Sequence, residues 1–279
     1  MRGVGGVVRG EAVVRGWRWA VNYRWIFVGS VVLAACSESG PRPPNADERP
    51  PTITLETSTV TSGFALGKIR AQHDVGAFRI TKAPVTVGQY KQCVAVGACG
   101  APALRGGGCD SAPAPRSVDG ATYSLDPDLP VTCMTPTQAA GYCRWQGGSL
   151  PTESEWLLAA RGSAPRRYAW GNFTPTCAQH PGSRDASCLK APADFRVGKH
   201  PEGRSQSGME DILNARGELL RASPNAEFGA CNGETSCVVS GVYPGGEIDG
   251  VAPVASNAER LPASMKTFGF RCSFAGGAQ

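Results

Sequence analysis

Two helix starts fall within one stretch, residues 131–162, which reads VTCMTPTQAAGYCRWQGGSLPTESEWLLAARG. Thr135-Pro136-Thr137-Gln138 forms a capping box. The Thr135 hydroxyl accepts from the third amide of the helix while Gln138 reaches back to the cap. Pro136 takes the first helical position, where a missing N–H costs nothing. The helix continues through Ala139, Ala140, Tyr142, Cys143 and Trp145 and stops at Gly147-Gly148. Thr152-Glu153-Ser154-Glu155 is a second capping box, leading Trp156, Leu157, Leu158, Ala159 and Ala160 toward a stop at Gly162. Trp156, Ala159 and Ala160 are spaced i, i+3, i+4, so they share one buried face.

The beginning of the chain has a different character. Arg2, Arg9, Arg15, Arg18 and Arg24 stand against one acid, Glu11, ahead of an apolar run from Trp25 to Ala35. That run is well short of the ~20 residues a membrane span needs, so residues 1–35 read as a signal peptide. Leu33-Ala34-Ala35-Cys36 resembles a bacterial lipobox, which makes Cys36 the lipidated first residue of the mature chain; ordinary secretion is the alternative. Ser37 after the cysteine implies, by resemblance to Gram-negative lipoproteins, an outer-membrane destination in the cell envelope. The formal charge of +5 for the whole chain falls to about +1 without the leader, so no basic surface suggests nucleic-acid binding.

Residues 36–62 are rich in proline and poor in apolar side chains, and they read as a disordered spacer behind the lipid anchor. The remaining chain, residues 63–275, is long enough for one domain with a full core. With 36 glycines and 22 prolines, it should be rich in loops. Phe64-Ala65-Leu66-Gly67 and Ala77-Phe78-Arg79-Ile80 read as strands. Thr86-Val87-Gly88-Gln89 is a third capping box, starting a helix through Tyr90 and Cys93 that fades by Gly97. Residues 100–130 lack periodicity and read as a long loop, either a binding segment or simple elaboration.

Ten cysteines remain after Cys36: Cys93, Cys99, Cys109, Cys133, Cys143, Cys177, Cys188, Cys231, Cys237 and Cys272. An even number in an exported chain argues for disulfides. No Cys-x-x-Cys occurs, and His73, His180 and His200 have no ligand spacing, which argues against zinc. Cys177–Cys188 and Cys231–Cys237 are plausible local loops. The order in which Cys93, Cys99, Cys109 and Cys133 pair stays open.

The stretch Tyr142-Cys143-Arg144-Trp145, with Leu150-Pro151-Thr152-Glu153, Glu155-Trp156 and Arg161-Gly162, resembles the signature of the formylglycine-generating-enzyme, or sulfatase-modifying-factor, family. Further landmarks follow in the same order as in that family: Phe78-Arg79-Ile80-Thr81 upstream, then Tyr168-Ala169-Trp170-Gly171, Val197-Gly198 and Gly269-Phe270-Arg271-Cys272. The resemblance implies an α+β fold, an irregular, loop-rich variant of the C-type-lectin fold with several disulfides. It also implies a disulfide between Cys143 and Cys272.

Active members of that family oxidise a sulfatase cysteine to formylglycine with copper(I) and oxygen. Soft thiolates suit copper(I), and the family supplies two, four residues apart, behind an R-G-G-S strand. No cysteine lies between Cys237 and Cys272. Cys231 and Cys237 are the only substitutes, and they lie too far upstream with five intervening residues. Val238-Val239-Ser240-Gly241-Val242 resembles a remnant of the strand. Of the family's G-L-x-D-M-x-G-N-V-W-E-W, Asp211 and Glu218 survive while the Gly-Asn pair and both tryptophans are gone, which puts the family's calcium in question.

Glu153 and Glu155 sit in a helix cap, where carboxylates complement the helix dipole. Trp145, Trp156 and Trp170 read as core. Neither a P-loop nor a G-x-S-x-G elbow is present. The sequence therefore points to an envelope lipoprotein whose domain is a non-catalytic pseudoenzyme, binding or scaffolding a protein or envelope ligand. No cofactor is expected, with calcium possible by resemblance. The alternative is a copper-dependent oxidase using Cys231 and Cys237.

Overall fold

In the computed structural model the described residues are 41–61, 72–101, 115–118, 121–124, 126–164, 166, 168–173, 176–180, 194–212, 217–221, 237–240, 252–257 and 268–276. They belong to the compact unit Gly40–Gln279. The leader, Cys36 and the expected strand at Phe64–Gly67 lie outside them. No helix among the described residues is long and apolar enough to cross a membrane.

Three helices start where the capping boxes place them. Helix α1, Val87–Ala95, follows Thr86; α2, Pro136–Trp145, follows Thr135; α3, Glu153–Arg161, follows Thr152. Each threonine hydroxyl accepts the third amide, at 3.1–3.2 Å, and each Gln or Glu returns to the cap amide. Gly147 and Gly162, with φ of +83° and +74°, turn the chain after α2 and α3 as the sequence predicts. Helix α3 is buried beyond its expected face, since every residue from Trp156 to Arg161 is enclosed.

The strands are β1 (Thr52–Leu55), β2 (Ser58–Thr61), β3 (Gln72–Val75), β4 (Phe78–Thr81), β5 (Pro115–Val118), β6 (Ala121–Ser124), β7 (Glu218–Leu220), β8 (Cys237–Ser240), β9 (Ala252–Asn257), β10 (Gly269–Phe270) and β11 (Ser273–Ala275). One sheet runs β1-β4-β11 and a second β10-β7-β8-β9, with hairpins β2-β3 and β5-β6 beside them. Within the second sheet, β10 and β7 are parallel. The stretch 269–275 therefore enters one sheet as β10 and leaves in the other as β11, with Arg271 and Cys272 at the crossing. Thr81 N–H donates to Cys272 O at 2.8 Å and Val85 N–H to Phe270 O at 2.9 Å, which locks that crossing onto β4 and the start of α1.

Two apolar clusters fill the interior. Helix α3 packs with the β2-β3 hairpin, Phe78, Ile80, Met209 and Leu220, while α1 and α2 pack with Leu219, Phe270 and Cys272. In the second cluster Tyr142 sits 5.7 Å from Tyr90 and 5.6 Å from Phe270 between ring centres.

Two expectations need correction. Much of the spacer expected over residues 36–62 is structured, so the fold begins ahead of residue 63. Strand β1 pairs antiparallel with β4, Thr52 opposite Thr81 through Leu55 opposite Phe78. Pro44 and Pro50 are buried. Proline is tolerated beside an edge strand, so proline density alone does not signify a spacer. The loop expected over residues 100–130 also contains the β5-β6 hairpin, Pro115 opposite Ser124. Hairpin pairing needs no strong local periodicity once a partner strand supplies the hydrogen bonds.

Candidate functional site

The signature residues converge on the crossing between the two sheets. Arg271, fully buried, lies with Glu218, also buried, at 2.6 Å. All five guanidinium N–H groups are used: Nε and Nη2 on the two Glu218 oxygens, Nη1 on Thr81 O and Lys82 O, and Nη2 again on Glu210 O. Glu218 Oε2 also accepts from Trp156 Nε1 at 2.8 Å. One ion pair thus joins α3, β4, β7 and the segment around Glu210. A lone acid in the apolar strand Glu218-Leu219-Leu220 is the sequence signal that points to this pairing, because a buried carboxylate requires a partner.

Cys143 and Cys272 form a disulfide, as the resemblance implies, closing 129 residues. Cys93 pairs with Cys99, six residues on, which resolves part of the order left open from sequence. Cys133 and Cys177 are disulfide-bonded too. Cys109, Cys188 and Cys231 lie outside the described residues. Cys237 opens the interior strand β8, opposite Leu220 on one side and Asn257 on the other.

The other signature residues serve the fold. Leu150 and Pro151 are buried, and Glu155 closes the cap of α3 on Thr152 N at 2.7 Å. Glu153 and Arg161 are both enclosed; burial lowers the Arg161 pKa to about 10, opposed by the charge of Glu153. Trp156 is enclosed, whereas Trp145 and Trp170 are only half-buried against the core. Trp170 stacks on buried Tyr168 with centroids 5.2 Å apart and near-parallel planes, and Gly171 follows at φ +143°. Burial holds the Tyr142 phenol well above its ordinary pKa, against its hydrogen bond from Gln146.

The segment where the family carries calcium is occupied by the protein's own donors. Asp211, at φ +54° and buried, accepts Gly198 N–H at 2.7 Å, and Glu210 O accepts from Arg271. Burial raises the Asp211 pKa, with Gly198 and Arg271 pulling the other way. Both oxygens are therefore already engaged within the protein. Among the described residues no group of three or more His, Cys, Asp or Glu side chains could hold a metal ion.

The residues that flank the stretch from Ala101 to Asp126 are bonded to α1 and α2. At one end Tyr90 Oη donates to Gly100 O at 2.6 Å and Gln138 Nε2 donates to Ala101 O, beside the Cys93–Cys99 bridge. At the other, Gly88 N–H donates to Pro127 O and Val87 N–H to Leu129 O, both at 2.9 Å. Arg196 adds an ion pair to Asp126 at 2.8 Å, which holds the Asp126 pKa down.

Helices α1 and α2 are thus tied through Cys143 to the strand crossing, with the Arg271–Glu218 ion pair beside it. The chain belongs to the sulfatase-modifying factor enzyme 1-like domain family, whose profile matches residues 39–215. A hercynine oxygenase of Mycolicibacterium thermoresistibile is 33% identical over 170 residues, covering 54% of this chain and 37% of that one. The match thus spans well under half of that relative's length. A formylglycine-generating enzyme of Streptomyces coelicolor is 53% identical over 51 residues, 18% of this chain and 16% of its own. An inactive C-alpha-formylglycine-generating enzyme 2 of Mus musculus is 48% identical over 50 residues, 17% and 16%. The crystal structure of CarF shares the fold with a TM-score of 0.53 at 15% identity, over 82% of this chain and 100% of that one.

Proposed function

We propose that this protein is a cell-envelope lipoprotein, anchored through Cys36, whose family domain works as a binding or scaffolding module rather than as an oxidase. The observation that carries this reading is the use made of residues 208–219. Met209, Asp211, Ile212, Glu218 and Leu219 are all enclosed, and the two surviving acids serve Gly198, Arg271 and Trp156. The described residues of this landmark are interior structure. Recognition falls to the segment between Ala101 and Asp126, whose flanking residues are bonded to α1 and α2 while the core stays fixed. The partner is a protein or another envelope component.

The short, highly identical matches include one relative named an enzyme and one named inactive. Likeness over some fifty residues therefore supports the fold and leaves the chemistry open. The second reading is copper-dependent oxidation of a protein cysteine through Cys231 and Cys237, in keeping with the relative named an enzyme. Titration of the exported domain with copper(I), beside its Cys231→Ser/Cys237→Ser variant, separates the two. The module reading expects the same weak binding by both proteins and no formylglycine when a sulfatase peptide is added with oxygen. Tight binding that the variant loses, with peptide oxidation seen by mass spectrometry, would establish the oxidase.

A further inference from the structure

From Arg42 onward the chain is bonded to the domain, and this shortens the tether. Arg42 O accepts from Trp145 Nε1 at 2.8 Å and Glu48 O from Gln146 Nε2 at 3.2 Å, both at the C-terminal end of α2. Glu48 closes the turn by binding Arg42 at both carboxylate oxygens, 2.6 Å each, and by accepting Asn45 N–H at 2.8 Å. Further on, Lys82 N–H donates to Pro51 O at 2.8 Å and β1 enters its sheet. From Cys36 to Arg42 the chain can reach at most about 22 Å when fully extended. A spacer running to residue 62 would have reached about 90 Å.

We propose that the edge built from Arg42, Arg144 and Trp145 lies against the bilayer surface when the chain is held by a lipid on Cys36. The inference rests on the anchor reading above. Its chemistry suits phospholipid headgroups. Arg144 is exposed, and its guanidinium matches phosphate oxygens, while the exposed Arg42 is paired with Glu48 and marks where the tether meets this edge. Trp145 is half-buried with its N–H already bonded, the amphipathic type of ring that settles at headgroup depth. Of the nearby acids, Glu48 is neutralised by Arg42 and Asp47 is exposed.

The test uses the full chain, processed in a Gram-negative host and reconstituted into phosphatidylethanolamine/phosphatidylglycerol vesicles containing nitroxide-headgroup lipid. A fluorophore is placed through an azide-bearing residue at Arg144 or at Asp74, an exposed position in the β2-β3 hairpin that packs on the other core cluster. Quenching should be several-fold stronger at position 144 than at 74. Inserting about 40 Gly/Ser residues after Ser39 should abolish most of that difference, since it lengthens the tether without touching the fold. Equal quenching at the two positions, with Cys36 shown by mass spectrometry to be acylated, would overturn the apposition alone. An unacylated Cys36 would overturn the anchor and the apposition together.

Discussion

Arg271 and Glu218 stand 53 residues apart in the chain and meet with no exposed surface, joined at two points 2.6 Å long. Because every guanidinium hydrogen has an acceptor, neither charge is left uncompensated. Removing one partner is a different matter, since the other then remains buried and unpaired. Glu218→Gln should lower unfolding stability by about 3–5 kcal/mol. Urea denaturation of the exported domain measures this, and a change within about 0.5 kcal/mol, typical of a surface site, would refute it.

The two defined disulfides should differ in worth. Cys143–Cys272 closes 129 residues and Cys93–Cys99 only six. Constraint of the unfolded chain gives about 5 kcal/mol for the first and about 2 kcal/mol for the second. Thermal melts of the Cys143→Ser/Cys272→Ser and Cys93→Ser/Cys99→Ser pairs should therefore show the larger fall for the first. The reverse order would mean that native strain or residual unfolded structure governs both.

Gly148 presses against the C-terminal strand. A Cβ there would collide with Ser273 O and come within 2.7 Å of the Phe274 ring. The backbone of Ser149 exchanges hydrogen bonds with Ser273 at 2.9 and 2.8 Å, so the strand has little room to retreat. Gly148→Ala should cost about 1–3 kcal/mol, as overpacking does. Calorimetry of the variant checks this, with Gly141→Ala, where the nearest atom is a flexible Arg144 terminus at 3.8 Å, as the tolerated comparison.

Acid should weaken the fold through His180. Burial, reinforced by the charge of His200, lowers its pKa from about 6.5 to about 4. Between those values the unfolded chain takes up a proton that the folded chain refuses. Stability from this group is therefore complete above about pH 6.5 and lost as the pH falls toward 4, by about 3 kcal/mol in all. Denaturation midpoints at pH 7.5 and 4.5 should narrow their gap in a His180→Asn variant. An unchanged gap would assign the acid sensitivity to other groups.

Much of the helical framework was legible because capping is local. Thr86, Thr135 and Thr152 each satisfy amides within three residues, so the helix starts can be read from a four-residue window. Turn glycines such as Gly147 and Gly162 are equally local, since their positive φ depends on the absent side chain. The link between Cys143 and Cys272 followed from resemblance to a family, not from spacing.

Long-range pairing decided the remainder. Thr52–Leu55 has the extended backbone of a spacer and of an edge strand alike, and only β4, twenty-odd residues on, makes it the latter. Glu218 stood out in the sequence only as a surviving position of a family motif, and its partner became identifiable only when β10 and β7 were laid in parallel. The bonding of the residues that flank this stretch, 101–126, likewise depends on Gln138 and Tyr90 arriving from two different helices. Local contacts are specified by neighbours a few bonds away, whereas these contacts exist only once distant segments have been brought together and their ordering entropy offset by the core.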